Sequence, residues 1–204
     1  MKPPSSLLDS VQVFVADTST IINLGATNRA TEIIRALPSK LVIEKTVMDE
    51  LQVGRLRGRN DADTVERLAT TGLIDIIRLG PVGLQHFETL ISGPAIDTLD
   101  DGEAATIALA IEIGGGSIID ERKAHRICRE RLSGLKAGST MDLLAHPDIV
   151  AALGRSELAD AVFRALITAR MRVFTEYMEW VFELIGPERA ARCLSLPRNV
   201  RDRR

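Results

Sequence analysis

The chain has 204 residues, 45% apolar and 26% charged, which is enough for an ordinary folded core and excludes a globally disordered chain. Aromatics are only 3%, so the core rests on Leu, Ile, Val and Ala, and stacking platforms for single-stranded bases are scarce. The net charge of −2 singles out neither nucleic acid nor a membrane surface, and two cysteines, Cys128 and Cys193, exclude a disulfide scaffold and point to a reducing, cytoplasmic setting.

Residues 1–10 (MKPPSSLLDS) lack the apolar middle of a signal peptide and are expected as a flexible tail. Residues 11–16 (VQVFVA) read as a buried strand that stops at Asp17-Thr18-Ser19-Thr20, and a short helix is expected from Ile21. A second helix, 29–37, ends before Pro38, and 40–44 (KLVIE) form a second strand. Thr46 is the expected cap of a helix carrying Glu50. A basic, Gly-punctuated loop with Arg55, Arg57 and Arg59 follows, and then a helix over 61–71.

Residues 73–79 (LIDIIRL) read as a third strand, and 81–91 as a helix with Pro81 in its first turn. A strong helix over 103–113 is ended by Gly114-Gly115-Gly116, a short strand covers 117–119, and a helix covers 122–132. Strands alternating with helices predict an α/β fold with a mostly parallel central sheet. After Ser139 no strand signal remains. Residues 156–185 read as one long helix or two with Ser156 as cap, and 198–204 as a basic tail. No apolar run approaches the ~20 residues that cross a bilayer, so no membrane role is expected.

In a parallel sheet, ligands bind beyond the carboxyl ends of the strands. Asp17 and Asp120 each follow a strand there. Glu50 lies in the helix after the second strand, and Glu103 in the first turn of the helix before Ser117. Four carboxylates in a small space need compensation, and a hard divalent cation, Mg²⁺ or Mn²⁺, supplies it. Each acid also has a plainer reading. Asp17 and Asp120 can cap the helices that follow, Glu103 can be the far half of a capping box begun at Asp100, and Glu50 can be a solvated helix residue.

The blocks FVADTSTIINL, TVMDEL, LDDGEAATIALA and SIIDERKAHRIC, in this order over about residues 11–145, resemble the signature blocks of PIN-domain ribonucleases. The resemblance is closest to the subgroup whose third acid is the Glu of a Gly-Glu-Ala helix start. It implies a PIN-like three-layer fold over 11–155, followed by a helical extension over 156–197. It also implies a Mg²⁺- or Mn²⁺-dependent endoribonuclease that hydrolyses RNA phosphodiester bonds. Asp17, Glu50, Glu103 and Asp120 match the acids that hold metal in such enzymes, and Ser19 matches a polar residue near it. Glu121 stands where relatives often carry a further Asp. Many relatives are toxins of bacterial toxin–antitoxin pairs, which makes an antitoxin protein an expected partner beside the RNA substrate. The alternative is a non-catalytic PIN-like module that binds RNA or protein.

Phosphate contacts are expected from Arg55, Arg57 and Arg59 and from Arg122, Lys123 and Arg126 after Asp120. Arg outnumbers Lys 21 to 5, which favours forked phosphate contacts. A haloacid-type phosphatase needs a second Asp two positions after the first, where this chain has Ser19. The glycines at 114–116 end a helix and precede a strand, the reverse of a phosphate loop. His125 reads as a helix-surface residue and His146 as a turn residue. The apolar stripe Leu158, Val162, Phe163, Leu166, Ile167 and Met171, continued by Val173, Phe174, Tyr177, Met178, Val181, Phe182 and Ile185, needs a cover. That cover is the protein's own body or another chain, and residues 174–182 are expected to join a homodimer or partner interface.

Overall fold

The structure, a computed structural model, describes residues 11–203. The tail expected over 1–10 lies outside the described residues. In chain order the elements are β1 (Val13–Ala16), α1 (Thr18–Ala26), α2 (Ala30–Ala36), β2 (Lys40–Glu44), α3 (Lys45–Arg55), α4 (Asp61–Thr70), β3 (Ile74–Ile77), α5 (Pro81–Ile91) and α6 (Asp101–Glu112). They continue with β4 (Gly116–Ile118), α7 (Arg122–Arg131), β5 (Lys136–Gly138), α8 (Thr140–Leu144), α9 (Pro147–Thr168), a 3-10 turn (Thr175–Tyr177), α10 (Met178–Ile185), α11 (Pro187–Arg192) and α12 (Arg198–Arg201). Two compact units form: one from residues 11–21 and 38–139, the other from 22–37 and 140–203.

The first unit is an α/β body. Its five strands are all parallel, in the order β3-β2-β1-β4-β5. Phe14, Val15, Ala16, Leu41, Val42 and Ile43 are buried, as strands covered on both faces require. The chain runs outward from β1 through β2 to β3 and then returns to lay β4 against the other side of β1. The gap beyond the carboxyl ends of β1 and β4 is therefore the topological switch point. Ala16 pairs with Ile118, which brings Asp17 and Asp120 to that gap from neighbouring strands.

Helix α6 is buried on nearly every side, from Gly102 to Ala110 with the exception of Glu103. Its Leu109 and Ala110 pack on Val15 and Val42, and its Ala104 and Ile107 join Ile119, Ile127 and Cys128. Small side chains at 104, 105, 108 and 110 let its backbone approach the sheet closely. At its far end the Glu112 carboxylate accepts from the Gly80 backbone N–H at 2.8 Å, which satisfies one open donor at the start of α5.

Two local expectations change. The fifth strand, Lys136–Gly138, was not expected; it is a three-residue edge strand with one exposed residue, too short to show an alternation. The cap of α3 is Glu44 rather than Thr46. The Glu44 carboxylate accepts from the Thr46 backbone N–H, and Thr46 stands inside the first turn.

The second unit is helical. Helix α9 is interrupted at Gly154, whose φ of 70° and ψ of 164° suit glycine and break the helical run just before the boundary expected at 155. His146 is more than a turn residue: it is buried at the cap of α9, and its Nδ1 accepts from the Asp148 N–H at 3.2 Å. The 198–204 stretch is not simply a loose tail, since 198–201 form α12 with Val200 buried.

Most of the apolar stripe is covered by this chain. Leu158, Val162, Leu166, Met171, Val173, Tyr177, Val181 and Ile185 are buried, Phe163, Phe174, Met178 and Phe182 are half-buried, and Ile167 is exposed. Half-buried Phe163 lies under the guanidinium groups of Arg189 and Arg192, each 5.2 Å from its ring, and Phe182 lies under Arg203 at 5.5 Å. The Tyr177 hydroxyl donates to Asp142 Oδ1 at 2.6 Å, which fixes the 3-10 turn to α8. Within residues 174–182, Tyr177, Trp180 and Val181 are thus committed to the interior.

Candidate active site

Asp17 follows β1 directly, and its N–H donates to the Ile118 carbonyl at 3.1 Å, extending the β1–β4 ladder by one residue. Its Oδ1 accepts from the Thr20 N–H at 2.7 Å and its Oδ2 from the Ser19 hydroxyl at 2.7 Å. The capping reading of Asp17 therefore holds, and it orients the carboxylate as well. The side chain is 4% exposed. Burial, and next the charge of Asp120, push its carboxyl up to about 6, against the bonds from Thr20 and Ser19 that lower it.

Asp120 is 5% exposed and lies two residues beyond β4. It does not occupy the cap position of α7, which falls to Glu121 with no side-chain cap bond. The backbone beneath Asp120 is held from two sides. The Ile119 N–H donates to the Gly138 carbonyl at 2.9 Å, and His125 Nε2 donates to the Ile119 carbonyl at 2.8 Å. His125 is thus a half-buried tie between α7 and the end of β4, not a surface residue.

Glu103 lies in the first turn of α6, where Asp100 holds the cap position without a side-chain cap bond. The Glu103 carboxylate takes a bond from the Asp100 backbone, so only one half of a capping box forms. Its Oε2 is buried with no hydrogen-bond partner. Burial first, then the charge of Asp100, and more weakly those of Asp17 and Glu121, push this carboxyl up to about 7. Half-buried Glu50, from α3, accepts from the Thr18 hydroxyl at Oε2 and lies against Gly102 of α6.

Asp17, Asp120, Glu103 and Glu121 therefore share one electrostatic field at the switch point, and Glu50 is bonded to the residue next to Asp17. Among the described residues, no three His, Cys, Asp or Glu side chains are gathered at metal-ligand spacing. The donor chemistry nonetheless fits a hard divalent cation. All the groups are carboxylate oxygens, one oxygen of Glu103 is buried without a partner, and the charges that raise Asp17 and Glu103 are all negative. A cavity of ≈ 400 Å³ lined by Gly114, Gly115, Ser133 and Gly134 opens at the opposite, amino end of β4 and β5, and no acid lines it.

The basic candidates divide. Arg55 pairs with Asp63 and, at 2.7 Å, with Glu66, and Arg59 pairs with Asp61 at 2.9 Å. The acids in the first turn of α4 thus engage two of the three loop arginines. Arg126 is held by Glu130 at 2.9 Å and by the Ile96 carbonyl at 2.6 Å. Arg57 and Arg122 are exposed, and Lys123 is half-buried. Thr18 and Gly102 are not singled out by the sequence, and His125 reads there only as a helix-surface residue. Their signals were adjacency alone: Thr18 within Asp17-Thr18-Ser19, Gly102 before Glu103, and His125 one turn after Glu121.

A PIN-domain family model matches residues 13–187, running through α10 and well past the region carried by the sequence blocks. No curated protein and no solved structure gives a significant match. Among the described residues, no helix is long and apolar enough to cross a membrane. A family match of that extent, on a five-stranded parallel sheet with acids at its switch point, places the chain in the PIN-domain family.

Proposed function

We propose that this PIN-domain protein, a nuclease-type module by its family, is a metal-dependent endoribonuclease that hydrolyses RNA phosphodiester bonds. The observation that carries the reading is the partnerless, buried Oε2 of Glu103 in the same field as Asp17, whose carboxyl burial and Asp120 push up to about 6. Asp17 and Asp120 would hold Mg²⁺ or Mn²⁺ directly, with Glu50 and Glu103 on the ion or its waters. When bound, such an ion acidifies and orients a water for attack on phosphorus. The chain's own part is orientation. Ser19 and the Thr20 N–H fix both oxygens of Asp17, Thr18 holds Glu50, and His125 anchors the backbone before Asp120. Glu121, in the cap position of α7, adds negative charge toward Glu103.

Arg57, Arg122 and Lys123 are the candidates left to meet the RNA backbone. Neutralising all three is expected to weaken RNA binding and to flatten its salt dependence by roughly 0.7 in log–log slope per lost contact to a single strand. Binding isotherms at several salt concentrations test this, and an unchanged slope rejects the contacts. A place in a toxin–antitoxin pair, with an antitoxin as protein partner, is the biological role we favour, in the cytoplasm. The free, buried Cys128 and Cys193 agree with a reducing compartment. Association of two copies would have to use surface that the half-buried Phe174, Met178 and Phe182 leave open.

A second reading, a non-catalytic PIN-like binding module, draws on the lack, among the described residues, of three acids at ligand spacing. One experiment separates the two. Purified protein incubated with RNA should cut it only with Mg²⁺ or Mn²⁺ and should stop in chelator. Binding without cutting favours the module.

A further inference from the structure

We infer that Gly102 and Thr18 together set the position of the Glu50 carboxylate, an inference that rests on the nuclease reading of Glu50 above. Three separate elements meet at this side chain: Thr18 in the first turn of α1, Glu50 in α3 and Gly102 in the first turn of α6. The Thr18 hydroxyl donates to Glu50 Oε2. A Cβ placed on Gly102 would stand 2.6 Å from Glu50 Oε1, 2.7 Å from Oε2 and 2.9 Å from its carboxyl carbon. Both carboxylate oxygens thus point into the space at Gly102 where any other residue carries its side chain.

Gly102 is not among the residues with positive φ, so its backbone conformation is open to any amino acid. Inside a helix, glycine is less favourable than alanine. What glycine provides here is space, and the occupant of that space is the Glu50 carboxylate. The atoms a methyl group would meet are the far end of a flexible side chain, not backbone. A methyl at 102 would therefore displace Glu50 and leave α6 in place. Thr18 adjoins Asp17 and Gly102 adjoins Glu103, so the two contacts tie Glu50 to the segments that carry two of the other acids. Gly102 and Thr18 are positioning residues acting through Glu50.

The test compares Gly102→Ala, Thr18→Val, Thr18→Ser and Glu50→Ala in the full chain. Three readouts are taken: thermal melting without metal, Mn²⁺ affinity by calorimetry, and the rate of RNA cleavage. Gly102→Ala is expected to melt at or above the wild-type temperature. It should lose about 10-fold or more in Mn²⁺ affinity and in cleavage, the scale of losing an orienting contact at a metal site. Thr18→Val should do the same and Thr18→Ser should restore function. Added to Glu50→Ala, Gly102→Ala should have no further effect on Mn²⁺ affinity or cleavage. If Glu50→Ala lowers affinity and cleavage while Gly102→Ala and Thr18→Val lower neither, the inference is overturned and the nuclease reading stands. If Glu50→Ala itself changes neither, the reading of Glu50 falls and the inference with it.

Discussion

Asp120→Asn is expected to reduce RNA cleavage at least about 100-fold, the scale of removing one charged group from a reacting centre, and to leave the fold intact. Asparagine keeps the shape of the 5% exposed side chain and removes its charge. No helix cap is lost, because Glu121 holds the cap position of α7. The bonds that hold the neighbouring backbone, from Ile119 N–H to Gly138 and from His125 to the Ile119 carbonyl, do not involve the Asp120 carboxylate. Cleavage kinetics on a labelled RNA and a melting curve test this together. Unaltered cleavage removes Asp120 from the chemistry. Loss of cleavage together with loss of cooperative melting would make its role structural.

The second large effect is on stability. The Asp17 carboxyl is raised from its ordinary 3.8 to about 6, chiefly by burial and next by Asp120. Between those values the folded protein binds more protons at Asp17 than the unfolded chain, so this group's contribution to stability falls as pH rises. It is fully present below the unfolded value and lost by the time pH passes about 6. Two units or so of shift correspond to about 3 kcal/mol. Glu103, raised from 4.5 to about 7 by burial and then by Asp100, acts with the same sign over a slightly higher window.

Asp17→Asn keeps an acceptor for the Thr20 N–H and removes the buried charge. Relative to wild type it should therefore gain stability progressively from about pH 4 to 7 and hold a gain of about 1–3 kcal/mol at pH 8. Saturating Mn²⁺ should stabilise wild type at pH 8, by RT ln(1 + [L]/Kd), and should have little effect on the variant. Urea unfolding at a series of pH values measures both. A variant no more stable than wild type at pH 8 would show that the Asp17 charge is already compensated.

Much of the α/β body could be read from the sequence because its signals are local. The buried runs VFVA and KLVIE, Pro81 at the start of α5, and the glycines after α6 each mark an element without reference to distant residues. Strand β5 could not be read this way. Lys136–Gly138 is defined by pairing with β4, not by its own pattern. The end of β4 supplied Asp120, but the contacts that surround the acids join residues far apart in the chain. Thr18 and Glu50 are 32 positions apart, and Thr20 and the Ile118 carbonyl 98. Neither contact has a signature in spacing or composition.

The basic loop shows the same limit from the other side. Arg55 and Arg59 read as free cations until the fold sets Asp61, Asp63 and Glu66 of α4 beside them. Exposed pairs of this kind contribute little stability, but they do occupy the guanidinium groups. The stripe over residues 156–185 was legible as a surface in need of cover. That Phe163 and Phe182 are roofed by arginines from α11 and the segment after α12 was not, since Arg203 read as part of a basic tail and nothing in the spacing ties Arg189 and Arg192 to Phe163.

The proposed chemistry requires the carboxylates at the switch point to hold a divalent cation. Calorimetric titration of Mn²⁺ into the wild-type protein and into Asp17→Asn tests it most directly. Wild type is expected to bind Mn²⁺ reversibly, with displacement by chelator, and Asp17→Asn to show no measurable binding. Equal Mn²⁺ affinity in the two proteins, or no binding by wild type, would contradict the claim.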